Sequence, residues 1–159
     1  MNATHNLNGT PRGYIAPTAT VADSADIGPD AQVSGRARVT DNAGVYGHAI
    51  VTDDAQMYHD AVVSGRARVF GHARVFGHAT VTGSALVCDH ALVSDRALVT
   101  DHAQVSGYSA VAGNAVLSGY ASVSGDAVVF GDARVCNDAQ VNGNATINGH
   151  AILTGGVHS

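Results

Sequence analysis

An all-β solenoid with almost no helix is the fold this chain predicts, and three observations carry that reading. Every sixth residue from Ala19 to Ala151 is alanine, with Ser109 the one exception. Two positions after each of them stands Val, Ile, Leu or Met, a column unbroken through 23 repeats. The third observation is an absence: the 159 residues include no Lys, no Glu and no Trp, and Glu and Lys are what usually fill exposed helix faces. A unit of six residues cannot bury an apolar face alone and must stack on its neighbours.

Each repeat runs Ala, variable, aliphatic, variable, Gly or Asp, variable, as in Ala67-Arg68-Val69-Phe70-Gly71-His72. Alternation of small or aliphatic residues with polar ones is the period of a strand, with Ala and Val pointing inward. Six residues therefore make one short strand and one corner. The fifth column holds fourteen Gly, six Asp and one Asn, with Pro29 and His59 as exceptions. Gly, Asp and Asn best tolerate positive φ, so the chain turns sharply at the same point in every repeat. Ala near the corners lets the walls converge, while Val fills the centre of each wall.

The segments Ile15-Ala16-Pro17-Thr18-Ala19-Thr20-Val21 and Ile27-Gly28-Pro29-Asp30-Ala31 resemble the opening hexads of hexapeptide-repeat acyltransferases. The resemblance covers residues 13–156 and implies a left-handed parallel β-helix, a triangular solenoid with three hexads per 18-residue coil and about eight coils. With strands stacked at roughly 4.8 Å, eight coils make a prism about 40 Å long. Residues 1–12 form an N-terminal arm or cap and residues 157–159 a short tail, and the six residues after Leu153 are too few to cap the last coil. One departure from the enzymes is clear: from Val33 onward, Gly no longer follows the aliphatic residue directly but comes one position later. The long inserted loops and C-terminal helix with which many such enzymes hold acyl-CoA are also missing from the sequence.

Placing residues 18 apart above one another sorts the outward side chains into three faces. The first face carries an apolar strip of Tyr58, Phe76, Leu92, Ala110, Val128 and Phe130, with Ala112 beside it. Such a strip on a rod marks an interface. Side-by-side trimers are also what the resemblance implies, so a homotrimer joined through this face is expected. The second face carries Tyr46, Val62, Leu98, Val116 and Ile152 amid Thr and Ser, and the third is mostly polar, with Phe70 and Leu86.

The corners collect polar ladders. One contains Arg36, Asp54, His72, His90, Tyr108, Asp126 and Asn144. His72 and His90 fall on adjacent coils beside Asp54, which could orient an imidazole as a general base. In the enzymes resembled, a His near the subunit boundary takes a proton from the acceptor, so His72, His90 and Asp54 are the candidate catalytic residues. The sequence matches no family motif there at residue level, and His equally reads as one of several solvated residues rotating through this column. His72 and His78 sit on different corners and form no chelate; no metal and no cofactor is expected. Cys88 and Cys136 are 48 residues apart, not a whole number of coils, so they point from different faces and form no disulfide.

Charge excludes other classes. Eight Arg against thirteen Asp give −5 with His neutral, too mild and scattered for a nucleic-acid surface. No apolar run reaches bilayer length, residues 1–12 lack the apolar stretch of a signal peptide, and a cytoplasmic protein is expected. Two functions compete: a non-catalytic scaffold presenting flat faces to itself or to a macromolecular partner, with end-to-end stacking of rods, and a hexapeptide-type acyltransferase with acyl-CoA between rods. Ice binding needs Thr on both sides of the inward residue coil after coil, and only Thr80-Val81-Thr82 has it.

Overall fold

The computed structural model describes residues 5–7 and 9–159, so that Met1–Thr4 and Asn8 of the N-terminal arm lie outside the described residues. Among the described residues are 25 strands of two residues each, from Tyr14–Ile15 to Val157–His158, and no helix. They assemble into three parallel sheets that match a triangular left-handed β-helix of about eight coils. The first face is an eight-stranded sheet running from Thr20–Val21 to Thr146–Ile147, the second an eight-stranded sheet from Asp26–Ile27 to Ile152–Leu153, and the third a nine-stranded sheet from Tyr14–Ile15 to Val157–His158. Neighbouring strands in a sheet are one coil apart in sequence, as Arg74 pairs with Leu92 and Val75 with Val93.

The inward columns pack as the alternation requires. Every Ala and every aliphatic residue of these columns from Ala31 to Val141 is buried, and Met57, Leu117 and Ile27 are the largest fully buried side chains. Ser109 occupies an alanine position with no exposure. Its Oγ donates to the carbonyl of Ser106 at 2.7 Å, so the hydroxyl is satisfied without leaving the core.

Corners are bonded both within a coil and between coils. The Ala37 amide closes its corner onto the Ser34 carbonyl at 3.3 Å, while the Arg36 amide reaches the Asp53 carbonyl one coil on at 2.6 Å. Seven non-glycine corner residues adopt positive φ, among them His59 at 60°, Asp89 at 60° and Asn137 at 56°. His59 thus turns the chain as its glycine and aspartate counterparts do.

The two ends differ from a plain continuation of the repeat. At the first coil, the side-chain amide of Asn6 imitates a missing backbone peptide: Nδ2 donates to the Ile27 carbonyl and Oδ1 accepts from the Ile27 amide, both at 2.9 Å. Arg12 Nη2 lies 2.9 to 3.1 Å from the carbonyl oxygens of Ala22, Asp23 and Ala25, and its Nε donates to Asn6 Oδ1. The side chains of Asn6 and Arg12 thus stand in for a strand at this end of the rod. At the other end, Val157–His158, expected to lie in a tail, forms a strand of the third face, with Val157 paired to Gln140. That last step is 17 residues long, and Gly156 at φ 83° lets the chain turn one residue early.

Candidate functional site

The geometry of the candidate residues follows from one corner, built by the glycine or aspartate of each repeat. His72 and His90 do come together: their rings stack at 4.9 Å between centroids with 12° between planes. Tyr108 continues the stack below His90 at 4.6 Å and 1°. The strand spacing of a β-helix sets this distance, because residues one coil apart sit about 4.8 Å apart. Parallel rings oppose their π faces rather than converging in-plane nitrogens on one point. All three rings are exposed to solvent.

Asp54 is drawn to the other side. Its Oδ2 accepts from Arg36 Nη2 at 2.8 Å. The hydrogen bond from Arg36 is the main reason its carboxyl is held below the ordinary value; burial works against this, and the charges of Arg36 and His72 add to it. Because the folded carboxyl is the stronger acid, its contribution to stability is present above the unfolded carboxylate range and is lost as pH falls through the folded value. Replacing Arg36 with Ala is expected to raise the Asp54 titration midpoint toward the ordinary carboxylate value, as read by carbon-detected NMR. An unchanged midpoint would remove Arg36 as the cause.

Other corners carry the same kind of ladder. His78 Nδ1 lies 3.6 Å from Asp60 Oδ2, and His150 Nδ1 lies 3.5 Å from Asp132 Oδ2. His102 stacks on Tyr120 at 4.9 Å. Exposed pairs of this sort contribute little to stability. Among the described residues no group of three or more His, Cys or Asp is gathered to hold a metal ion. A cleft lined by Asn6, Leu7, Ser24, Ala25 and Asp26 lies in the first coil, away from His72 in the fourth. Cys88 and Cys136 are both free and stand on the third and second faces. Burial pushes the Cys88 thiol up, helped by the charge and hydrogen bond of Asp89, which leaves it a poor nucleophile.

The expected interface residues all fall on one sheet. Tyr58 and Phe76 stack at 4.9 Å and 5°, and Arg74 sits over the Tyr58 ring at 5.7 Å while Nη2 donates to its hydroxyl at 3.1 Å. Leu92, Ala110 and Val128 follow in consecutive coils, and Phe130 is 40% exposed. On the second face, Tyr46 is 37% exposed but held in place. Its ring lies across Gly44, where a Cβ would come within 2.4 Å of it, and its hydroxyl donates to Asp26 at 3.2 Å. Burial, followed by the charge and hydrogen bond of Asp26, raises the Tyr46 phenol.

One set of residues the sequence reading did not single out joins successive coils. Asp53, Asp89, Asp95 and Asp101 each turn a corner and accept, through Oδ2, the amide of the glycine one coil on, at 2.9 to 3.1 Å. Asp41 does the same for the His59 amide at 2.9 Å. The signal was present as Asp in the fifth column with Gly 18 residues later, and only the stacking of the coils shows that the carboxylate points along the rod.

The repeat also has a counterpart among known families. The YdcK beta solenoid repeat matches residues 31–46 and 73–89. The chain is a β-solenoid repeat protein. No curated protein matches it. Among solved structures, a UDP-N-acetylglucosamine acyltransferase from Campylobacter jejuni is similar at 15% identity, covering 82% of this chain and 68% of that one, with a TM-score of 0.40.

Proposed function

We propose that this β-solenoid is a non-catalytic structural scaffold that associates with copies of itself through its first face. The observation that carries the reading is the continuous strip from Tyr58 to Phe130 on a flat sheet that no loop interrupts. Function is carried by a site and not by the fold, and here the candidate histidines lie face to face on a solvated corner. The strip is half-buried in the single chain, with Phe130 its most open member, and a contiguous apolar strip of this kind is a place of association. The trimer implied by the hexapeptide resemblance is one such assembly.

Light scattering on the purified chain tests the reading. The wild-type protein is expected to run as an oligomer, and Leu92→Asp, which places a charge in the middle of the strip while sparing the core, is expected to run as a monomer with an unchanged circular dichroism spectrum. A monomeric wild type at micromolar concentration would overturn self-association.

A further inference from the structure

We propose that two copies of this chain pair antiparallel, first face to first face, about a two-fold axis crossing the rod between the levels of Leu92 and Ala110. The inference rests on the self-association just described and specifies its geometry. Arg74, Leu92, Ala110 and Val128 follow one another in consecutive coils of one column. The two-fold operation then sets Leu92 against the partner's Ala110, a large side chain on a small one, and Phe76 against the partner's Phe130.

Charge agrees with this register. Twelve of the thirteen Asp lie on corners, and the strand positions of the first face carry Arg38 and Arg74 with no carboxylate. Arg74 and Asp126 make no ion pair among the described residues. In the antiparallel pair Arg74 lies beside the partner's Asp126, and His72 and His78 face the partner's Asp126 and Asp132. The acidic counterpart is thus supplied by the chain itself, and for this reason a second copy is the occupant.

Neighbouring registers each lose part of this match. Sliding one coil in one direction puts Asp54 and Asp60 opposite the partner's Asp126 and Asp132; sliding the other way sets Arg96 against the partner's Asp132 but parts Phe76 from the partner's Phe130 and leaves Arg74 beside the partner's Asn144 and Thr146. A parallel two-fold on this face opposes Asp54 to Asp60, Asp126 to Asp132 and His90 to Arg96. Like charges directly opposed across an interface suppress an arrangement, while isologous two-fold contacts require this kind of self-complementarity.

Sedimentation equilibrium on the full chain and three variants tests the arrangement. The wild type is expected to be a dimer. Arg74→Glu and Asp126→Arg are each expected to weaken it about tenfold or more, and the double charge swap is expected to return it to within about threefold of wild type. In any parallel assembly positions 74 and 126 stand three coils, roughly 14 Å, apart along the rod, and the swap restores nothing. A trimeric wild type, or a dimer that the double swap fails to rescue, overturns the two-fold arrangement and leaves self-association standing. A monomeric wild type overturns both. Arg already stands on the ladder of Asp126 at Arg36, and at the matching position of the other two corners at Arg66 and Arg96, so the Asp126→Arg chain is expected to retain the fold.

Discussion

A Val75→Asp chain is expected to lose its cooperative thermal transition. Val75 has no exposed surface and pairs in register with Met57 on one side and Val93 on the other. An aspartate there has neither water nor a donor. Removing a charge from water without a partner costs several kcal/mol even after relaxation, and a group that neutralises instead still leaves a buried carboxyl unsatisfied. Against a total stability of about 5–15 kcal/mol for a domain, the substitution consumes most of what holds the coils together. Circular dichroism on heating reads the effect directly. Thr80→Asp, at an outward position of the next strand, is the control and is expected to keep the transition; a Val75→Asp chain that melts like it would refute the inward placement of the valine column.

Gly65→Val is expected to destabilise by about 3 kcal/mol or more, with Gly65→Asp costing distinctly less. Gly65 sits at φ +70°, and a Cβ there would meet the backbone oxygen of Gly83 at 2.8 Å and its nitrogen at 3.0 Å. Valine adds a branched side chain to both penalties. Aspartate tolerates the left-handed region, and its carboxylate can take the amide of Gly83 as Asp89 takes that of Gly107 at 3.0 Å. The pair of substitutions therefore separates the steric demand of the corner from the electrostatic answer the chain uses elsewhere. Denaturant midpoints measure the difference, and equal losses for Val and Asp would show that the carboxylate bridge contributes nothing.

The contrast between these two predictions reflects what one sequence can reveal. The Ala and Val columns are legible because period alone fixes which way a side chain points, and Ala31 through Val141 are buried as that period requires. The assignment of residues to three faces was legible for the same reason, since no insertion disturbs the count before the last coil. The strand at Val157–His158 was not, because Gly155-Gly156 shortens that step by one residue and breaks the period on which the reading relied. The candidate site was half legible. Stacking of 18-residue coils places His72 beside His90, but only side-chain geometry shows that Arg36 holds Asp54 and that the rings lie face to face. An arm or cap was expected at residues 1–12, but how it is held was hidden, for nothing in the local pattern around Asn6 announces a contact with Ile27, 21 residues away.

The uniform core has a consequence for how the coils find their order. Moving any strand by 18 residues exchanges valine for valine and alanine for alanine along most of the rod, so burial alone barely distinguishes the native alignment from one skipped by a whole coil. The energy gap that selects it must come from the places where the pattern is irregular: the Ser109 hydroxyl, the Tyr46 ring lying over Gly44, and the Asn6 amide locked to Ile27. These act as index marks on an otherwise repeating scale. Erasing them is expected to leave a protein equally rich in strand yet heterogeneous in threading, and prone to lending coils to a neighbouring copy.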